Sequence, residues 1–372
     1  MPLQEEDQEV EIHGDVLETI LSHIPLVDLV SSARVSKWWC AAVWSSLHHH
    51  NPPKPWLFVH TQATRFPYTT AVHAYDPRSN IWIKISKPSI KYISALKSSH
   101  SNFLYMLSPS KFSFSLDPLN SNWCTVNPPL VWRMDPIVAR VGYSVIIAGG
   151  ACDFEDDPLA VEIYNLKTRA WCTCESMPLI LKDSAASPWL SIATTSVKLI
   201  VADKKSGLTH WFDPETKSWS EPIVLDPGQP VGSYHIGCSD NNLILVGVCR
   251  IENVERVIIW RVRGEDFLFE EIGEMPQEFV TKLNGKTFGV SPIDIRVAGN
   301  IVYVYNTWET EEVVACELMA GGGCLWWSVR NVAARGGTIA ERLVFSCSEV
   351  GIDELRRAMF MKKWRFEVSS AS

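Results

Sequence analysis

Four times along this chain a polar residue closes a hydrophobic run and a tryptophan follows six positions later: Asp76 and Trp82, Asp117 and Trp123, Asn165 and Trp171, Asp213 and Trp219. The surrounding segments are alike, AYDPRSNIW, FSLDPLNSNW, IYNLKTRAW and WFDPETKSW, so the spacing is an internal repeat. The tryptophans lie 41, 48 and 48 residues apart, a period that belongs to stacked units such as solenoid repeats or propeller blades. Two weaker copies follow: Arg261 stands six before Phe267 in IIWRVRGEDFLF, and VVACELMAGGGCLWW reaches Trp326 and Trp327 through a longer turn. About six units are therefore expected, with five or seven also open.

Each unit ends a β-rich segment in a polar turn and restarts on an aromatic, the pattern of two antiparallel strands joined by a short connection. A ring of this size on the returning strand contributes about 2 to 3 kcal/mol when it packs on a neighbouring sheet. A ligand cage could use the same residue type, but regular recurrence suits a repeated core position.

A chain of 372 residues exceeds the usual single domain, which suits a large repeat domain plus a smaller unit. The formal charge of −8 lacks the basic stripe of a nucleic-acid surface and favours a protein partner. Neither a membrane span nor a secretory leader is indicated. The ten cysteines are scattered without a C-x-x-C, which reads as reduced thiols in a cytoplasmic or nuclear protein.

Residues 1–10 are acidic and polar, and disorder is expected there. In IHGDVLETILSHIP the residues Val16, Leu17, Ile20, Leu21 and Ile24 form an apolar stripe, with Asp15 and Glu18 placed as a capping pair. Pro25 ends that helix, Asp28 is expected to cap a second and Ser36 a third, SKWWCAAVWSSL. Three short helices cannot bury Trp38, Trp39, Val43, Trp44 and Leu47 alone, so some of that surface should meet a partner. HHHNPPKP, from His48 to Pro55, reads as a linker that cannot continue a helix, and the domain bounds are drawn as a helical unit over 11–50 and a linker over 51–55. From Trp56 onward the pattern is strands, and helical period is nearly absent except in GIDELRRAMFMKKW, which is compatible with a short helix or a degenerate last strand. Closure is expected between WLFVH near Trp56 and residues 342–348, because pairing the chain ends removes exposed edges.

The segment DVLETILSHIPLVDLVSSARVSKWW resembles the F-box, the three-helix motif by which substrate receptors join Skp–cullin–RING ubiquitin ligases, although His13 and Gly14 stand where that family often has Leu-Pro. The remainder is similar to kelch repeats, marked by a glycine pair after an apolar strand; Gly149 and Gly150 match, and the other units have lost the pair. The chain thus resembles plant F-box/kelch-repeat proteins, and PWLFVH, AYDPRSNIW, VWRMDPIVA and IIAGGACDFEDD look like the subgroup whose member targets chalcone synthase. The resemblance implies a mainly β fold, a kelch-type propeller over 56–372 behind a small F-box. It also implies a non-catalytic receptor with an Skp-type adaptor, cullin and RING subunits as partners, and a protein substrate such as chalcone synthase.

On that reading Leu17, Ile20, Leu21, Pro25, Leu29, Val35 and Trp38 contact the adaptor. Substrate contacts are expected on loops at one face: Trp132, Arg133 and Asp135, the acidic run Asp153, Glu155, Asp156 and Asp157, and Trp189. For each a plain structural role is the alternative, a solvated acidic loop or a core tryptophan. No cofactor or metal is expected, since the histidines are dispersed and no G-x-S-x-G, H-E-x-x-H or P-loop occurs. An interaction scaffold without ubiquitylation is the competing reading.

Overall fold

The computed structural model describes residues 14–65, 70–87, 94–101, 103–115, 117, 119, 122–151, 157–264, 267–285, 292–336 and 341–369. The acidic amino terminus and Asp153, Glu155 and Asp156 lie outside them. Among the described residues, six antiparallel sheets of four or five strands form a β-propeller.

Blade 1 is built from both ends of the chain. Its inner strand is Glu341–Ser348, followed outward by Trp56–Ala63, Thr70–Asp76 and Ile81–Ser86, with Arg365–Ser369 as a fifth strand outside. The closing pair runs in register from Trp56 opposite Ser348 to Ala63 opposite Glu341, as expected from the sequence. Blades 2 to 6 each run outward in chain order. Their inner strands are Leu96–Ser98, Ile137–Val141, Leu190–Thr194, Val231–Ser239 and Ile293–Ala298, and these touch one another around the axis. Their outer strands are Trp123–Val126, Ala170–Thr173, Ser218–Trp219, Leu268–Glu274 and Cys324–Arg330.

The repeat is the turn between the third and outer strands. The side chain of Asn165 accepts the backbone N–H groups of Lys167 and Thr168, and that of Asp213 accepts those of Glu215 and Thr216. Asn80, Arg169 and Lys217 then adopt φ of 52°, 57° and 59° two residues before the tryptophan, so the chain reverses in a fixed length. The returning tryptophan pairs across the strands with an aromatic, Trp82 with Tyr75, Trp171 with Tyr164 and Trp219 with Phe212. Each ring packs back on the preceding blade: Trp171 lies beside Phe112 of blade 2, and Trp219 donates through its indole to the Glu175 carbonyl. Gly149 and Gly150, at φ of 65° and 109°, let the same loop pass close to two interblade connections. A Cβ would meet the Ala185 carbonyl at the first and the Met134 carbonyl, at 2.7 Å, at the second.

Three helices precede the propeller: α1 (Asp15–Ser22), α2 (Leu26–Ser32) and α3 (Lys37–His49). Ser36 caps α3 by accepting the Trp39 N–H at 3.2 Å. The other two expected caps differ. Gly14 occupies the cap of α1 and Pro25 that of α2, while Asp15 sits one step and Asp28 three steps inside, in first turns where a carboxylate favours the positive end of the helix. His48 and His49 belong to the last turn of α3 rather than to a linker. A helix absent from the sequence reading, α4 (Gln277–Asn284), joins blades 5 and 6 and buries Val280 and Leu283; two apolar residues are too few to mark a period. GIDELRR resolves as α5 (Ile352–Arg356), which leads toward the fifth strand of blade 1. Among the described residues no helix is long and apolar enough to cross a membrane.

Candidate functional site

The propeller has two faces of opposite character, and strand order assigns the loops to them. One carries the turns between inner and second strands and between third and outer strands; the other carries the second-to-third loops and the connections between blades. Residues 51–55 lead into the start of a second strand and α5 follows the end of an inner one, so the helical unit joins the first face.

It joins by a common core. Leu17, Leu21, Leu26, Leu29, Val30, Val43 and Leu47 pack in one cluster with Trp56, Phe58, Val72, Ile83 and Ile85 of blade 1 and with Ile352 and Leu355 of α5. Arg78, in the third-to-outer turn of blade 1, is buried against the carboxyl end of α1. It donates to the carbonyls of Ser22 at 3.0 Å, Ile24 at 2.5 Å and Asn51 at 2.8 Å. Asn51 adds an amide donor to Ser22 O at 2.9 Å. The orphan carbonyls at a helix end are thereby satisfied from the propeller.

This arrangement divides the seven residues expected at an adaptor. Leu17, Leu21 and Leu29 are buried within the chain, because blade 1 and α5 supply the apolar surface that an isolated three-helix unit would lack. Pro25 is half-buried, whereas Ile20, Val35 and Trp38 are exposed, Trp38 at 79%. Val16 and Trp44 are exposed beside them in sequence.

Those residues expected at a substrate that the structure describes fall, by strand order, on loops of the opposite face. Trp189 is 64% exposed and Trp132 is half-buried. Asp135 pairs with Lys97. Asp157 accepts the Leu159 N–H at 2.9 Å and the Ser176 hydroxyl at 2.8 Å, so it orders its own loop. Arg133 is placed differently from the expectation: its side chain is fully buried and ion-paired with the equally buried Glu162, and it braces blade 3 instead of facing outward. Trp308, 76% exposed, and Leu179 and Ile180 share this face and escaped the sequence reading, because none of them belongs to the repeat.

A cavity of about 950 Å³ occupies the central channel on the same side, lined by inner strands of blades 2 to 6 and by the loops at Ile180–Trp189 and Asp203–Lys205. Its wall carries Asp294, whose Oδ2 accepts Arg296 Nη1 at 2.9 Å and the Tyr305 hydroxyl at 3.1 Å. Lys204 Nζ stands 3.5 Å from Oδ1 of the same carboxylate. Burial alone would raise Asp294, but Lys204 and Arg296 hold it well below the usual carboxylate range. Burial keeps His235 down, and together with nearby Arg296 pushes His100 down to about 4, so both imidazoles are neutral at pH 7.

The chain is 43% identical over 368 residues to an F-box/kelch-repeat protein of Arabidopsis thaliana, spanning 95% of this chain and 93% of that one. The chain belongs to the F-box/kelch-repeat family. An F-box only protein of the same plant, F-box only protein 6, is 22% identical over 303 residues, 75% of this chain and 62% of its own. No family model matches. A solved chain titled Structure of YjhT aligns with 70% of this chain and 87% of its own at 11% identity and a TM-score of 0.36. In this F-box/kelch-repeat protein the F-box is thus seated on blade 1, with the loop face directed away from it.

Proposed function

We propose that the protein is the substrate receptor of an Skp–cullin–RING ubiquitin ligase. Ile20, Pro25, Val35 and Trp38 meet the Skp-type adaptor, while Leu17, Leu21 and Leu29 hold those residues in place from within. The loop face, with Trp132, Asp135, Asp157, Trp189 and Trp308, receives the target protein. The observation that carries this reading is an exposed tryptophan on each of two opposed ends of one body, Trp38 on the F-box and Trp189 on the loops. Such rings are enriched where partners bind and costly to leave in water without one. No bond is made or broken by the receptor. A target held on the propeller is presented to the ubiquitin carrier at high effective concentration, and a rigid connection keeps it there.

The likeness of its segments to the subgroup that targets chalcone synthase makes that enzyme the first substrate to test. The experiment measures binding of the purified full chain to a plant Skp-type adaptor and to chalcone synthase. Val35→Asp with Trp38→Asp should weaken the adaptor at least tenfold and spare the substrate; Trp189→Ala with Trp308→Ala should do the reverse. A wild-type chain that binds no adaptor would leave an interaction scaffold as the function.

A further inference from the structure

We infer that the central cavity is a binding site for a carboxylate carried on an apolar or aromatic body. Two observations lead there independently. The first is charge: Lys204 and Arg296 share the single carboxylate of Asp294, which leaves one positive charge in excess on this wall. Four of the five N–H donors of Arg296 are engaged, since beside the Asp294 bond they reach the carbonyls of Phe345 at 3.0 Å, Ile295 at 2.6 Å and Ser98 at 3.3 Å. The excess is therefore centred on Lys204, which is partly open to the cavity.

The second is unmet hydrogen bonding. Beyond a backbone contact at Val138, His100 has no hydrogen-bond partner at Nδ1 among the described residues, although the residue is 8% exposed and lines the cavity. His235, 2% exposed, bonds Ser233 through Nε2 at 3.0 Å, and its Nδ1 stands 3.7 Å from Asp294, too far to be satisfied. Buried nitrogens left in this way call for a polar partner that the chain itself does not supply.

The apolar body has a place as well. The backbone N–H of Lys204 donates to the backbone carbonyl of Trp189 at 2.9 Å, which ties the two chain segments together, and both residues line the cavity along with Ile180. The other two acids of the lining are engaged away from Lys204. Asp203 turns its Oδ1 onto the backbone of Lys205 and Ser206 and onto the Ser206 hydroxyl. Asp183 is exposed at the rim and offset there by exposed Lys205. A volume of about 950 Å³ lies in the range of ligand pockets. The carboxylate could come from a free organic acid or from an acidic side chain of a protein docked on the loops. The inference stands whether or not the F-box engages an adaptor.

The test is titration calorimetry of the full chain with 3-phenylpropionate against its neutral analogue 3-phenylpropionamide, and with the blocked dipeptide acetyl-Phe-Asp-amide against acetyl-Phe-Asn-amide. At least one acid should bind tenfold or more tightly than its amide. That preference should vanish in Lys204→Met, survive in Lys204→Arg and be untouched by Lys217→Met on the opposite face. Preference for the free acid alone identifies a small-molecule site, and preference for the dipeptide alone a protein side chain. Equal binding of acid and amide, no binding of either acid at about 10 mM, or a preference that persists in Lys204→Met overturns the inference.

Discussion

Trp171 is held by Tyr164 across its own blade, by Phe112 of the blade before it and by the Asn127 carbonyl, 3.1 Å from its indole nitrogen. Trp171→Ala should therefore cost about 2 to 4 kcal/mol, read by urea unfolding, because the ring is half-buried and its bed cannot collapse. Arg133 makes the complementary point. Arg133→Met would strand the charge of Glu162 in the interior, and about 3 to 5 kcal/mol of stability should be lost, with part recovered in Arg133→Met with Glu162→Gln. The tryptophan was legible in the sequence because its role repeats. Arg133 was not, since arginine is usually a surface residue and its partner lies 29 positions away. The buried histidines add a dependence on pH. His100 is pushed down to about 4 and His60 and His235 are lowered too, so the unfolded chain binds more protons than the folded one between that value and about 6.5. Stability is complete above the unfolded pKa and is lost as pH falls toward the folded one, by up to about 1.4 kcal/mol per pH unit for each such group. Melting midpoints at pH 7 and pH 5 should show the drop, and His100→Gln should make it shallower.

Among the elements, the F-box helices depend on a turn that is remote in sequence. Arg78→Met removes the donors to the Ile24 and Asn51 carbonyls, while Ser22 keeps the Asn51 amide, and should cost about 1 to 3 kcal/mol for each buried acceptor left bare. Hydrogen exchange should then accelerate in residues 15–49 while the inner strands of blades 3 to 5 stay protected; acceleration everywhere would mean that Arg78 supports the whole ring instead. Helix positions and the Ser36 cap could be read from local pattern, since spacing and capping are short-range. The way the helices divide their apolar residues could not. Leu17, Leu21 and Leu29 look like partner contacts until α5 and blade 1 arrive from the far end of the chain to cover them. The helix α4 and the cavity wall at Lys204, Asp294 and Arg296 were equally hidden, the first because eight residues carry little period, the second because its members come from different blades.

At the scale of the whole molecule, the ring is closed by the pairing of Trp56–Ala63 with Glu341–Ser348. Deleting Trp56 to His60 should abolish cooperative unfolding, because both blade 1 and the seat of the F-box go with it; a sharp, native-like transition in that variant would place closure elsewhere. The same pairing sets an order of events during synthesis. The F-box leaves the ribosome about 300 residues ahead of surfaces that cover its leucines, which include α5 at residues 352–356, and the strand that completes their blade begins at residue 341. Until residues 341–356 have been made those leucines have no permanent shelter, and a chain terminated before them keeps them bare. A truncated product thus differs from a finished one by a bare apolar helix face, surface of the kind that promotes aggregation and calls for chaperones.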